Sequence, residues 1–311
     1  MKRYHHLYEN IYNVNNIIAC FNEVCKNTNN KEKKEKFKIY KCIYIYRIYN
    51  DLKNKTYHTH PFHEFYIYDP KKRRIISQDM YDKVINHLVS RYILYPAILP
   101  CLIDSNCASR PSKGTSYALK LYKKYNKMMN IKYSNYYILK CDIKNYFGSI
   151  DHNILKLKIR KKIKDKDSLN IIDKIIDSDD IGISIGFMTS QIFGIFYLND
   201  LDHYIKEELK IKYYVRYQDD FILLHYSKDY LNYCLIKIKE FLLKEKLELN
   251  QKTRIYKNTN NFIYLGRNKD GKYSKYRKIN KKLKYKKYLY ENNKITFSNY
   301  INSYICYKNI K

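Results

Sequence analysis

The stretch IKYYVRYQDDFILLH, residues 211–225, reads as two β-strands joined by a tight turn that carries adjacent carboxylates, Asp219 and Asp220. Ile, Val, Tyr and Phe dominate the flanks, Ile211 to Tyr217 and Phe221 to Tyr226, and residues of this kind fit a pleated, half-buried surface. A turn that serves structure alone is better made from Asn-Gly or Asp-Gly, because side-by-side carboxylates repel. The pair makes physical sense when divalent cations neutralise it. A third carboxylate sits in ILKCDIKNYFGSID, residues 138–151, where Asp142 ends an apolar strand from Tyr136 to Ile143. Taken alone, Asp142 serves equally well as a strand-end cap. On an adjacent strand of the same sheet it meets Asp219, and two ions roughly 3.5–4 Å apart between such groups can activate a hydroxyl and stabilise departing pyrophosphate. The carbonyl of Ile143 offers one more oxygen ligand.

Composition agrees with a polyanionic partner. The 311 residues include 61 Lys and Arg against 30 Asp and Glu, a formal net charge of +31. Such an excess repels itself unless nucleic acid neutralises it, although a bias toward Lys, Ile, Asn and Tyr is also what an AT-rich genome produces. Eight cysteines occur with no CxxC or Cys/His ligand spacing, which points to reduced thiols in a cytoplasmic protein rather than disulfides or zinc. No apolar run approaches the roughly 18 residues of a membrane span, and MKRYHHLYENIYN lacks a signal core. With no Trp but 38 Tyr and 12 Phe, base stacking falls to Tyr and Phe.

The apolar spacing predicts an amphipathic helix near the N-terminus, a charged break at NTNNKEKKEK, and a helix from Phe37 to Leu52. Extended chain follows from Lys55 to Asp69. Further helices are expected at Asp79 to Leu94, Ser116 to Met129, Asp151 to Lys162 with Asp151 as cap, and as one long rod from Ser190 to Lys210. FIYLG reads as a short β-segment, and the basic tail from Lys272 as helical in part. Strands and helices alternate without strict βαβ spacing, so the fold class is α+β rather than a doubly wound sheet.

Seven segments fall in one order along the chain: DPKKRRII, SRPSKGT, KCDIKNYFGSIDH, IGISIGFMTSQIFGIFYLNDLD, YQDDFILLH, LELNQKT and FIYLG. In that order and spacing the chain resembles a reverse transcriptase of the prokaryotic retroelement type. The resemblance implies a right-hand polymerase fold, with an N-terminal helical extension at 1–50, fingers at 51–135 and an interleaved palm at 136–270. A short, basic helical thumb would occupy 271–311, with the chain ending before a thumb normally finishes. It implies that Asp142, Asp219 and Asp220, with the Ile143 carbonyl, hold two Mg²⁺ ions, for which Mn²⁺ can substitute. Lys252 matches the general acid that protonates pyrophosphate. Phe147 falls at the aromatic gate that abuts a ribose 2′-hydroxyl and favours deoxynucleotides. Lys72, Arg73, Arg110 and Lys113 match cations that clamp the incoming triphosphate, as guanidinium forks do well. Gly114 and Gly186 would let backbone approach nucleotide or template. Implied partners are an RNA template, a DNA or RNA primer, dNTPs and a small basic accessory protein.

Around Gly186 the chain departs from the common PQGxxxSP, reading Ser184-Ile185-Gly186 and then Ser190-Gln191. An aliphatic residue for Gln, with Gln191 for Pro, resembles the enzymes of diversity-generating retroelements, where copying opposite adenine is error-prone. Ile185 offers no hydrogen bond to the nucleotide, so weaker discrimination follows. Other departures are Tyr81-Asp82-Lys83 for Arg-Asp-Arg, Ser112 for a glycine, and Gly194-Ile195 for Ala-Asn. The C-terminal segment shows no retron-type signature. Competing readings are an enzyme of phage defence, a group II intron enzyme, and a decayed polymerase that only binds RNA.

Overall fold

The computed structural model describes residues 2–67, 73–258, 262–267 and 276–308. Lys72 lies outside them. Chain contacts divide the protein into two compact units, residues 1–66 with 74–257, and residues 67–73 with 258–311.

The first unit opens with α1 (Val14–Asn27), α2 (Lys31–Ile39) and α3 (Lys41–Lys53). Strands β1 (His63–Ile67) and β2 (Arg73–Ser77) make a two-stranded sheet. Helices α4 (Met80–Leu88), α5 (Tyr95–Ile98) and α6 (Thr115–Lys132) precede β3 (Tyr137–Asp142). Then come α7 (His152–Lys162), α8 (Lys166–Ile176), α9 (Met188–Tyr197) and α10 (Asn199–His203). The hairpin β4 (Tyr213–Tyr217) and β5 (Asp220–His225), helix α11 (Lys228–Lys244) and β6 (Arg254–Lys257) complete it. The second unit contains α12 (Tyr276–Glu291) and α13 (Phe297–Lys308), joined in part by stacking of Tyr290 on Tyr300 at 5.3 Å. No helix among the described residues is long and apolar enough to cross a membrane.

The functional sheet is antiparallel, ordered β4-β5-β3-β6. Phe221 to Leu224 are buried at four consecutive positions, as a strand covered on both faces requires. Helices α6 and α11 supply that cover against β4 and β5, with α11 also reaching β3. The α+β expectation therefore holds, with the hairpin where the sequence places it.

Three local expectations need correction. The charged break is in part a helix: Asn30 accepts from Lys33 N at 2.9 Å to start α2, and Phe37, 2% exposed, anchors it by stacking on Phe21. One buried ring among lysines gives too weak a period to read. The long rod from Ser190 is broken at Leu198, and the break sets α10 so that Asp202 reaches Arg216. In FIYLG the described residues form no strand, only a bridge between Tyr264 and Arg267. Helix α8, rich in isoleucine, and the first turns of α11 were not anticipated.

Among the described residues Arg216 is the one fully buried arginine, at 0% exposure, and it organises the hairpin. Its Nε and Nη2 donate to the two oxygens of Asp202 at 2.6 Å each, a forked pair. Nη2 also donates to the Ile195 carbonyl at 2.8 Å, and Nη1 to the Gln218 carbonyl at 2.9 Å. Tyr214 Oη donates to Asp202 at 2.7 Å. Removing one partner of such a pair strands a buried charge, so Arg216→Leu should cost about 3–5 kcal/mol in urea denaturation. Lys38→Ala, which breaks only the exposed pair with Glu35, should cost under about 0.5 kcal/mol.

Candidate active site

Register places the acids. β3 and β5 run antiparallel with Asp142 directly opposite Asp220, and Tyr217 pairs with Asp220 to close the β4–β5 turn. Directly opposed residues point to the same face, so Asp142 and Asp220 share one side of the sheet. Only Gln218 and Asp219 form the turn, and Gln218 has φ 56, the left-handed backbone that tight two-residue hairpins demand. Asp220 is thus the first residue of β5 rather than part of the tip. All three acids are half-buried.

A non-glycine residue at positive φ costs on the order of 1 kcal/mol, and here the side chain offsets it. Gln218 Nε2 donates to Ser109 Oγ at 3.1 Å, to the Gln191 carbonyl at 3.3 Å and to Gln191 Oε1 at 3.1 Å. Ser109 Oγ donates to the same Gln191 oxygen at 3.3 Å. The Gln191 that departs from the family proline is therefore a tie to the acidic turn.

Burial pushes the Asp220 carboxyl up to about 6; Asp142 and Asp219 add to the rise and Lys140, 3.5 Å away, opposes it. Asp220 Oδ1 is buried with no hydrogen-bond partner. An unsatisfied buried carboxylate oxygen facing a second acid suits a cation ligand, so the residues fit a divalent ion. The three acids are nonetheless not gathered as tightly as His60, Asp79 and Asp82, whose ligand atoms lie within 4.8 Å of one another. That cluster is a hydrogen-bonded brace: Asp82 accepts from Tyr57 Oη at 3.1 Å and His60 N at 2.9 Å, while Asp79 caps α4.

The Asp142 edge also receives the loop bearing Lys252. Asn250 N donates to the Asp142 carbonyl at 2.7 Å, and Ile143 bridges Leu249. The two bonds of that bridge use Asp142 O and Lys144 N, so the Ile143 carbonyl is not consumed by it. Lys252 is exposed on this loop.

Phe147 lies in a 3₁₀ turn, Tyr146–Ser149, entered through Asn145 at φ 45. Its carbonyl accepts from Ile183 N at 2.8 Å, and Tyr146 Oη donates to the Gly194 carbonyl at 2.5 Å. A Cβ at Gly194 would stand 3.4 Å from the Phe147 ring and 3.0 Å from Gln218 Oε1. Glycine in place of the usual alanine therefore leaves room for the ring and the turn amide together.

Two of the remaining cations have internal partners. Arg110 Nη1 donates to the Ile103 and Asn106 carbonyls at 2.6 and 2.9 Å. Lys113 pairs with Asp104 at 2.8 Å. Arg73 is exposed at the start of β2, and its neighbour Arg74 binds Asp179. Gly186 has φ 128, and a Cβ there would stand 2.3 Å from the Ile76 carbonyl, so the close approach it permits is that of β2. The Ile185 carbonyl takes part in that approach, accepting from Ile76 N at 3.0 Å.

Sequence reasoning did not find Arg216, Asp202 or Ser109. Arg216, a lone charge within an apolar strand, was the available signal. The raised Asp220 pKa has a consequence for stability. The folded state holds its proton up to about pH 6, whereas the unfolded carboxyl releases it near the ordinary value of 3.8. Stability of the metal-free protein should therefore fall as pH rises from about 4 to about 6, by on the order of 2–3 kcal/mol. Denaturation of Asp220→Asn across that window should show the fall removed.

The motif order and this geometry have counterparts among known proteins. Residues 52–268 match the family model described as reverse transcriptase (RNA-dependent DNA polymerase). The chain is 28% identical over 169 residues to the retron Ec73 reverse transcriptase of Escherichia coli, covering 50% of this chain and 52% of that one. It thus spans about half the length of that curated relative. Among solved structures, telomerase from Candida tropicalis with a fragment of telomeric RNA superposes with a TM-score of 0.50 at 16% identity, over 74% of this chain and 49% of that one. Telomerase from Candida albicans gives 0.49 at 14% identity, over 66% and 43%. The Candida tropicalis likeness concerns the fold alone. With its family match covering most of the chain, the protein belongs to the reverse transcriptase family.

Proposed function

We propose that this chain is an RNA-directed DNA polymerase that extends a primer 3′-hydroxyl with dNTPs. The observation that carries the reading is the register of Asp142 against Asp220, one residue beyond Asp219 in the turn. In this reading 51–135 are fingers, 136–270 palm and 271–311 thumb. Asp142, Asp219 and Asp220, with the Ile143 carbonyl, would hold divalent cations, Mg²⁺ by preference for hard oxygen ligands. When bound, such ions supply charge to an attacking hydroxyl and a departing pyrophosphate.

The chain's own groups do the rest. Lys252, exposed on the loop tied to Asp142, would give its ammonium proton to the leaving group. Arg110 and Lys113 would meet the triphosphate, exchanging carbonyl and Asp104 contacts for phosphate oxygens. Phe147, backed by Gly194, would exclude a 2′-hydroxyl by contact.

Two subtypes compete on separate observations. Ile185 and Gln191 favour error-prone copying for a diversity-generating retroelement. The match to a retron enzyme favours a retron-like role. A small basic accessory protein would meet this chain of net charge +31 only with RNA between them.

Primer extension on poly(rA)/oligo(dT) tests the reading. Wild type should incorporate dTTP and Asp219→Ala should not; equal incorporation by both, or none by either, rejects it. On mixed-sequence templates, Ile185→Gln should lower errors opposite adenine if that side chain governs fidelity. The gate makes a separate prediction. Phe147→Val should admit ribonucleotides, lowering dNTP-over-rNTP selectivity in kcat/KM by about tenfold or more, as loss of a steric contact allows. Gly194→Ala should press the ring forward and lower kcat/KM for dNTPs while keeping selectivity.

A further inference from the structure

The brace of His60, Asp79 and Asp82 sets two acids against one imidazole, and hydrogen bonding uses only part of each acid. Asp79 is the N-cap of α4, and Asp82 lies one turn further on. Asp79 Oδ1 accepts from Asp82 N at 2.7 Å, and Asp82 Oδ2 accepts from His60 N at 2.9 Å. Backbone thus fixes one oxygen of each carboxylate. The other two oxygens turn to the ring: His60 Nδ1 stands 3.2 Å from Asp82 Oδ1 and 3.6 Å from Asp79 Oδ2. Ligands about 2.0–2.1 Å from a tetrahedral Zn²⁺ lie about 3.3–3.4 Å from one another, so these separations match edges of such a site. Tyr57 Oη donates to Asp82 Oδ1 at 3.1 Å, an outer contact that steadies the oxygen and leaves it a lone pair.

Charge argues the same way. The Asp82 side chain is 2% exposed, and burial, with Asp79 beside it, raises its pKa. Among the described residues neither acid ion-pairs with a lysine or arginine, and His60 is the base that meets both. Buried carboxylates are paired or coordinate metal, and a neutral imidazole neutralises neither of these. We propose that His60 Nδ1, Asp79 Oδ2 and Asp82 Oδ1 bind one transition-metal cation, Zn²⁺ by ligand type, which pins the chain before β1 to the first turn of α4. Imidazole suits Zn²⁺, whereas Mg²⁺ takes near-octahedral oxygen and keeps its waters. The site is therefore separate from the sheet carboxylates, and it stands independently of the polymerase reading. Coordination uses the Nδ1 lone pair, so the ring's proton then sits on Nε2. Three protein ligands leave one corner for water. His58 Nδ1 turns instead to the Thr56 carbonyl at 3.3 Å and lies outside the set.

Cobalt titration tests the site. Full-length protein is stripped with a chelator, exchanged into excess Mg²⁺ to fill the sheet carboxylates, and titrated with Co²⁺, whose visible d–d bands report its ligands. Wild type should develop tetrahedral bands that Zn²⁺ erases. His60→Gln should abolish them, and Asp79→Asn should weaken binding by about tenfold or more. Asn still caps α4, so the second variant keeps the helix start intact. His58→Gln should match wild type. In hydrogen exchange, Zn²⁺ should slow the amides of His60 and Asp82 in wild type and not in His60→Gln. Bands of wild-type strength in His60→Gln, loss of them in His58→Gln, or none in wild type overturns the assignment.

Discussion

The fork between Arg216 and Asp202 sets the geometry on which every later step draws. It ties helix α10 to strand β4, reaches the Ile195 carbonyl at the end of α9, and holds the Gln218 carbonyl in the turn. Backbone bonds to the Ser105 carbonyl and from Cys107 N fix the same residue from the loop before α6. A charge pair taken fully out of water gains little over an apolar substitute. Its worth here is geometric, because one guanidinium fixes four segments at once and the acidic turn is one of them.

That fixed turn lets opposed electrical demands coexist. Three carboxylates stand at one end of the sheet's central strands, and among the described residues only Lys140 answers Asp220 directly. Burial first, and the neighbouring carboxylates after it, raise the Asp220 pKa, and one oxygen of that carboxyl is left without a partner. A divalent cation would relieve both. Phe147 meets a different demand, for space rather than charge, and Gly194 supplies it by having no side chain.

Much of this was legible in the chain. Alternating Ile, Val, Tyr and Phe on both sides of Asp219-Asp220 give the hairpin, and the apolar run before Asp142 gives its neighbour, because strand periodicity survives in short segments. Helix α2 was not legible, since a single buried ring, Phe37, anchors an otherwise solvated lysine-rich turn. The break after Tyr197 was hidden because α9 is apolar all round and gives no face to follow. Arg110 and Lys113 were read for their charge, and their internal partners Ile103, Asn106 and Asp104 are matters of loop conformation that spacing does not encode. Gly194 and Gln191 looked like signs of divergence; side by side with Phe147 and Gln218 they are matched substitutions.

The trio of Ser109, Gln191 and Gln218 joins parts of the molecule that the chain keeps far apart. Ser109 belongs to the loop that carries Arg110 and Lys113, and Gln218 to the turn that carries Asp219. Hydroxyl and amide contacts of this kind are short-ranged and directional, so the loop cannot swing far without breaking them or dragging the turn along. In the polymerase reading proposed above, grip on a substrate's tail and alignment at its reactive end would thereby be mechanically geared, through three uncharged side chains that no inventory of acids and bases would single out.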